Sequence, residues 1–227
     1  MVRFFEKFIS YIEDKLFKLS KSFSRMNLYE HMKTSIETLK VSDCKQVLNI
    51  GSGGVIENIL IQNKILFRSL DIDRRRNPDI LCNMEDMSML KDQSYDAVFC
   101  MEVLEHVRNP FKAVEEVFRI LKKGGVVIGS TPFILGIHDY PIDYYRYTKY
   151  GLESLFNDFT KLELVERNTY MQSVLVLPLR LFVSGTRKEK FIILLMLPFL
   201  FVIYILSFGI KIENKDCCTG YYFVFKK

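Results

Sequence analysis

The sequence predicts an α/β fold of the Rossmann-like kind, with a mostly parallel seven-stranded sheet between helices. Two features predict it. The segment QVLNIGSGG at 46–54 joins a short apolar run to a glycine-rich turn, which is typical of a buried parallel strand that leads into a helix. Strand-like and helical runs then alternate, and Asp71 ends the second apolar run twenty residues after Gly51. Ligands of such sheets bind beyond the carboxyl ends of the strands, so we expect the site there.

Local signals support the individual elements. Pro110 is tolerated in the first turn of a helix, and Gly124 follows the end of the same apolar pattern. Thr148 is a suitable N-cap for a helix that runs to Phe156. The polar segment 73–78 is too short for a crossover helix before the third strand. The strands are predicted at 46–50, 66–71, 79–82, 95–101, 126–130, 161–166 and 221–225, and the remaining helices at 28–39, 55–61 and 110–121.

Length and composition limit the function classes. With 227 residues the chain has room for one full α/β core and little more. Its net charge of +5 comes without a dense basic block, so nucleic acid is not the expected partner. The five cysteines are odd in number and lack CxxC spacing, which argues against a disulfide framework or zinc and fits a reducing cytosol. Cys82 and Cys100 are predicted to lie in strands as small apolar residues.

Four segments make up the predicted organisation. Residues 1–40 form an N-terminal amphipathic helical segment, and 41–170 form the ligand-binding core. Residues 171–212 form an apolar helical insertion, and 213–227 contribute the final strand of the core. The N-terminal helix has lysines beside its apolar stripe, so it either caps the fold or lies on an anionic membrane, and capping is the simpler interpretation.

The glycine turn itself indicates the ligand class. A dinucleotide fingerprint would need glycine where Ile56 stands, and no Gly-Lys-Ser/Thr sequence follows for a phosphate loop. A nucleoside-type ligand without a cradled pyrophosphate remains. The Asp71 carboxylate has the spacing of a residue that grips ribose hydroxyls.

Three later segments occur in a characteristic order: Asn83-Met84-Glu85-Asp86, then SYDAVFCMEVLEHV at 94–107, then LKKGG at 121–125. With the glycine turn they resemble the class I S-adenosylmethionine (SAM)-dependent methyltransferases, and most closely a subgroup found with glycan-biosynthesis enzymes. The resemblance covers 47–156. It implies the class I methyltransferase sandwich, SAM as cofactor and methyl transfer as the activity.

The resemblance also implies where SAM would bind. The turn at Gly51 would pass beneath the methionine part, Asp71 would hold the ribose, and Asn83 would meet the adenine edge and pair with its amino group. The end of the fourth strand would line the cleft. The implied cofactor-binding residues are Asn49, Gly51, Ser52, Gly53, Asp71, Ile72, Asn83, Met84, Cys100, Met101 and Glu102.

The loop after the fifth strand carries the predicted acceptor site. Its segment HDYPIDYYRYT at 138–148 also resembles the subgroup's signature. A hydroxyl acceptor benefits from a general base, and we predict His138 for that role. Arg146 is predicted to clamp an anion or carboxylate, with Asp143, Tyr145 and His106 in contact with the acceptor. The alternative is that Asp143 and Arg146 only pin the loop.

Three further residues could act together as metal ligands: Glu102, Glu105 and His106. At i, i+3 and i+4 they would share one helix face and could hold a divalent metal. The resembling family carries a similar stretch without needing metal in most members, so cleft-lining roles are predicted and no metal.

The run FIILLMLPFLFVIYILSFGI at 191–210 has no charge and the length of a membrane span. Arg187, Lys188 and Lys190 precede it as cytoplasmic flanks do. A single crossing would remove the strand at 221–225 from the sheet. We therefore predict a helical pair or kinked helix that dips into one leaflet at the cytoplasmic face, and the alternative is a homodimer interface.

These inferences combine into a membrane-associated SAM-dependent methyltransferase. The resemblance implies a sugar hydroxyl of a glycan or lipid-linked glycan as acceptor. The apolar run suggests a lipid or quinone instead. A SAM-binding scaffold without turnover is the alternative from another class, because Asn49 and Val55 stand where the family has an acid and a glycine.

Overall fold

The computed structural model describes residues 2–138, 142–209, 214 and 216–227, which form two compact units. The sheet unit comprises 28–133, 137–165 and 221–227, and the helical unit comprises the N-terminal segment to Asn27, 134–136 and 166–220. Part of the predicted acceptor loop (139–141) and the end of the apolar run (210) lie outside the described residues.

Seven strands form the sheet in the order β3-β2-β1-β4-β5-β7-β6. The pairs that join β3 through β5 are all parallel, which confirms the predicted fold class. The strand order reverses between β1 and β4, so the turn after β1 lies at a topological switch point, where such sheets bind ligands. The strands are β1 (Val47–Ile50), β2 (Arg68–Asp71), β3 (Ile80–Leu81), β4 (Tyr95–Met101), β5 (Leu121–Pro132), β6 (Thr160–Glu166) and β7 (Gly220–Lys226).

Four helices complete the sheet unit: α2 (Leu28–Thr38), α3 (Gly54–Gln62), α4 (Pro110–Ile120) and α5 (Lys149–Leu155). Helix α2 buries Leu28, Met32 and Ile36, which are four residues apart and so share one face, in the main hydrophobic core. It therefore belongs with the sheet, whereas the sequence grouped it with the N-terminal segment.

Side-chain caps define the starts of α4 and α5. The Asn109 side chain accepts from the Lys112 amide ahead of Pro110, and the Thr148 hydroxyl accepts from the Gly151 amide, as predicted for Thr148.

Most strand bounds differ from prediction by one or two residues, and β3 and β5 need comment. β3 has only two residues, so Cys82 follows the strand. A 3-10 turn (Arg74–Arg76) precedes β3, and the segment before it forms no crossover helix, as its length predicts. β5 begins at Leu121 rather than 126. The extra residues are paired with the chain end, because Lys227 donates to the Gly125 carbonyl and accepts from the Gly124 amide.

The helical unit contains α1 (Val2–Ser24), α6 (Tyr170–Ser184) and α7 (Arg187–Gly209), with α6 packed against both of the others. Buried polar side chains hold the end of α1. Asn168 donates to the Phe23 carbonyl at 3.0 Å, and Thr219 donates to the Ser24 carbonyl at 2.9 Å. These bonds satisfy carbonyls that the end of a helix leaves without an intrahelical partner.

Candidate active site

The turn after β1 is built from glycines in a conformation that other residues avoid. Gly51 and Gly53 both have φ near +88°. A Cβ at Gly51 would lie 2.7 Å from Cγ2 of Val103, whereas a Cβ at Gly53 would meet no atom within 4 Å. The turn is therefore packed at Gly51 and open at Gly53, where a ligand can approach the backbone.

Asp71 ends β2 beside this turn and is 8% exposed. Its Oδ2 accepts from the amide and hydroxyl of Ser52 at 2.9 and 3.2 Å, and its Oδ1 accepts from the Asp73 amide at 2.8 Å. A carboxylate has about four lone-pair sites. Oδ1 therefore keeps one site for a ligand hydroxyl, and the carboxylate also ties the glycine turn to β2.

Asn49 is fully buried in β1, and its amide donates to the Gly51 carbonyl at 3.2 Å and to Glu57 at 3.4 Å. Among the described residues, its Oδ1 has no hydrogen-bond partner. A buried acceptor in this state costs free energy unless a ligand donor satisfies it.

The predicted adenine contacts lie after β3. The Asn83 Oδ1 accepts from the Glu85 amide at 3.0 Å, which leaves its NH₂ group as the free donor side. Asn83 can therefore donate to an acceptor nitrogen of a ring, and the second lone pair of its Oδ1 remains for the amino group that the sequence interpretation assigned to it. Met84 is buried, while Ile72 is 57% exposed directly after Asp71.

The end of β4 differs from the helix that the sequence suggested. Cys100 and Met101 are buried in the strand, and burial raises the pKa of the Cys100 thiol. Glu102 has φ +56° and accepts from the Ser130 hydroxyl at 3.0 Å. Only a 3-10 turn (Leu104–His106) follows, so Glu102 does not share a helix face with Glu105 and His106.

His106 has a defined orientation in this turn. Its Nδ1 lies 3.0 Å from the Ile142 carbonyl. Because a carbonyl oxygen only accepts, Nδ1 must carry the proton, and Nε2 of the neutral ring keeps its lone pair. The fully buried Glu105 places Oε1 3.8 Å from this Nε2.

His138 lies opposite, with its ring 5.6 Å from that of His106. Its Nδ1 is 3.2 Å from Asp143 Oδ2 and 3.4 Å from Arg146 Nη2. Asp143 accepts a hydrogen bond and so favours the tautomer with a proton on Nδ1. Arg146 donates a hydrogen bond and so favours the tautomer with a lone pair on Nδ1.

Asp143 and Arg146 form a bidentate pair, with both nitrogen–oxygen distances 2.5 Å. Burial opposes ionisation of Asp143, but the bonds from Arg146 and from the His138 amide hold the pKa of the Asp143 carboxyl below its usual range. Both terminal nitrogens of the Arg146 guanidinium therefore bind Asp143 of the same loop. This geometry favours the alternative in which the pair pins the loop over an anion clamp.

Glu105, His106 and His138 each bring a ligand atom within 4.8 Å of the others. Two imidazole nitrogens and a carboxylate oxygen are a donor set that a divalent ion accepts. The sequence offered a different trio for this role, with Glu102 in place of His138.

Two tyrosines, Tyr145 and Tyr147, flank Arg146 in the sequence. The Tyr147 hydroxyl donates to the Leu104 carbonyl, and the Tyr145 hydroxyl donates to the Arg108 carbonyl. Both tyrosines line a cavity of about 690 Å³ that also includes Arg108 and Phe111. Sequence reasoning missed this cavity, because Tyr147 and Phe111 carry no local signal that distinguishes them from core aromatics.

Comparison with known proteins shows a similarity over part of the chain. The sequence model of a family described as "Methyltransferase domain" matches residues 60–129. Over these residues the chain is similar to that domain. The matched residues include Asp71, Asn83, Met84 and the turn that bears His106, and they begin after the glycine turn.

Curated relatives match over part of their length. A ubiquinone biosynthesis O-methyltransferase from Hydrogenovibrio crunogenus is 32% identical over 84 residues, which cover 35% of this chain and 34% of the relative. The chain thus spans about a third of that protein's length, and 20% and 43% of two others that carry the same name.

Solved structures share the fold of this chain. A protein from Galdieria sulphuraria, described provisionally as a sarcosine dimethylglycine methyltransferase, has a TM-score of 0.57 at 14% identity and covers 87% of this chain and 84% of its own. The cyclase SpnF has a TM-score of 0.52 at 14% identity, with 80% and 74% covered. Because a cyclase has this fold, the fold alone does not decide the reaction.

Proposed function

We propose that this chain is a SAM-dependent methyltransferase that acts on a hydroxyl group. The proposal depends on three features near the carboxyl ends of the neighbouring strands β1 and β2. They are the open glycine turn, the buried acceptor of Asn49 and the Asp71 carboxylate. The match of 60–129 to a methyltransferase domain supports SAM as the cofactor.

The residues present fit this cofactor. The unsatisfied Oδ1 of Asn49 would accept from the ammonium of the methionine part, and Oδ1 of Asp71 has a site for a ribose hydroxyl. The NH₂ of Asn83 would donate to a ring nitrogen of adenine, beside the exposed Ile72. Bound SAM supplies a methyl group that its sulfonium already activates.

The protein then has to orient the acceptor, exclude water and take up a proton. His106 is the better placed base, because its Nδ1 bond to Ile142 leaves Nε2 free to take the hydroxyl proton. The carboxylate of Glu105, 3.8 Å from Nε2, would stabilise the imidazolium that forms. His138, the base that the sequence suggested, serves only in the tautomer in which its Nδ1 proton faces Asp143.

A phenolic hydroxyl of a quinone precursor is the acceptor that the observations support best. Relatives named for ubiquinone biosynthesis match part of the chain. The cavity lined by Tyr145, Tyr147 and Phe111 suits an aromatic ring, and its volume of about 690 Å³ is within the range of ligand pockets.

Two other functions remain as proposals. A sugar hydroxyl of a glycan is suggested by the sequence resemblance alone, whose signature includes the polar loop residues His138 and Asp143. A SAM-binding scaffold is favoured by Asn49, which lacks the charge of the acid that the family carries there.

The test is methyl transfer from isotopically labelled SAM to a dihydroxybenzene with an apolar side chain, with a free hexose as the competing acceptor class. We expect label on the phenol only. Label on the sugar would support the glycan acceptor, and binding of SAM without label on either would support the scaffold. Failure of the folded protein to bind SAM in calorimetry would overturn the proposal.

A further inference from the structure

Helix α7 of the helical unit is apolar and exposed. Its segment Arg187–Leu206 has a mean hydropathy of 2.3, and only 11% of it is buried. A core helix would be mostly buried, and a signal sequence would lie near the N-terminus, so neither explains this helix.

The burial pattern shows which face of α7 has a partner. Ile193, Leu197, Leu200 and Tyr204 are four and three residues apart, so they form one stripe, and they are buried or half-buried. The Tyr204 ring packs 5.1 Å from that of Phe23 in α1 of the same unit. The apolar side chains outside this stripe cover more than half of the helix circumference and are exposed: Phe191, Ile192, Leu194, Leu195, Met196, Phe199, Phe201, Val202, Ile203, Ile205 and Leu206.

Charge is confined to the start of the helix. Arg187 and Lys188 are exposed, and the nearby Glu189 is occupied because its Oε2 accepts from the Thr186 amide at 2.6 Å. Between 191 and 206 the sequence has no Asp, Glu, Lys or Arg. The helix thus begins with cationic residues and continues as a long apolar segment. Cationic residues suit the anionic surface of a bilayer, and the apolar segment suits its hydrocarbon interior.

The order of strands restricts how the helix can meet a bilayer. Helices α6 and α7 lie between β6 and β7 in sequence, and these two strands are neighbours in one sheet. The chain therefore leaves the sheet and returns to it on the same side of any membrane. α6 also exposes apolar side chains at Val174, Leu177 and Leu181.

We infer that α6 and α7 form a hairpin that inserts into one leaflet of a lipid bilayer without carrying the chain across. A second copy of this protein is the competing partner for the exposed face. It would cover one side of α7, whereas the exposed side chains extend over more than half of the circumference, and lipid covers all of it at once. The inference rests on the helical unit and on the order of the strands, and it does not depend on the proposed reaction.

Flotation of the full chain with vesicles tests the inference. We expect the protein to float with phosphatidylcholine vesicles, to float more completely with added phosphatidylglycerol, and to stay bound in high salt because the insertion is apolar. The double variant Leu195→Lys/Phe199→Lys places charges on the exposed face, where each lysine is costly in hydrocarbon. We expect it to weaken binding at least tenfold.

The control variant is Leu66→Lys, which adds a charge at an 84% exposed leucine of the sheet unit and should leave flotation unchanged. Circular dichroism and binding of S-adenosylhomocysteine verify that each variant is folded. The inference is overturned if the wild-type chain stays with the soluble fraction, or if it sediments there as a dimer that Leu195→Lys/Phe199→Lys dissociates. Loss of S-adenosylhomocysteine binding with intact flotation would count against the proposed function only.

Discussion

Replacing Gly51 and Gly53 of the glycine turn one at a time separates the cost of backbone strain from the cost of a steric clash. Gly51→Ala forces φ near +88° on an alanine and brings its Cβ to 2.7 Å from Val103 Cγ2. Gly53→Ala imposes the same φ, but its Cβ meets no atom within 4 Å. Gly53→Ala should therefore cost only the backbone term of about 1–2 kcal/mol in free energy of unfolding. Gly51→Ala should cost about 1–3 kcal/mol more, the range for overpacking.

Urea unfolding of the two variants measures this difference, and the double variant Gly51→Ala/Val103→Ala assigns it. Removal of the Val103 methyl groups should recover part of the extra loss, with a coupling free energy above about 0.5 kcal/mol. Equal destabilisation by Gly51→Ala and Gly53→Ala, or no recovery in the double variant, would refute the packing of the turn described above.

Four further predictions concern the site. Asp71→Asn and Asp79→Asn each alter a carboxylate that accepts from a serine amide and hydroxyl, so both should lower stability, but only Asp71→Asn should weaken SAM binding in calorimetry, about tenfold. His106→Gln should lower turnover about 100-fold with little change in SAM affinity; a larger loss with His138→Gln would shift the base role to His138. Asp143→Asn should destabilise by about 1–3 kcal/mol at neutral pH. Because the pKa of Asp143 is lowered in the fold, its stabilisation is present above the usual carboxyl pKa of about 4 and is lost as the pH falls through the lower folded value, so urea titrations should show the gap to wild type closing in acid. Treatment with EDTA should leave turnover unchanged, and a loss restored by a divalent ion would instead assign a metal to the donor trio of Glu105 and the two histidines.

Much of the sheet could be predicted because its signals are local. The apolar run 95–101 coincides with β4, and Asp71 lies at the end of β2 as the spacing from Gly51 indicates. Both predictions depend on a strand buried on two faces, which leaves a continuous apolar run in the sequence.

The acceptor side could not be predicted in the same way, because its geometry depends on distant partners. The spacing of Glu102, Glu105 and His106 suits a helix, but Glu102 adopts φ +56° and the helix does not form. The bond that orients His106 comes from Ile142, thirty-six residues away. No periodicity encodes such a contact, so the sequence could not indicate that His106 has the better defined tautomer.

The grouping of helices also escaped local reasoning. α2 and α1 are adjacent in sequence and both amphipathic, yet α2 packs its stripe into the core of the sheet unit while α1 packs against α6. Amphipathicity predicts that a face is buried and leaves open which element covers it.

The central claim, that the chain transfers a methyl group from SAM to a hydroxyl, is tested most directly by mass spectrometry of a reaction with SAM and the dihydroxybenzene acceptor. The account predicts S-adenosylhomocysteine formed in equal amount with a mono-O-methylated phenol, and neither product with His106→Gln beyond a trace. Folded protein that binds SAM but forms no S-adenosylhomocysteine with phenolic or sugar acceptors would contradict it.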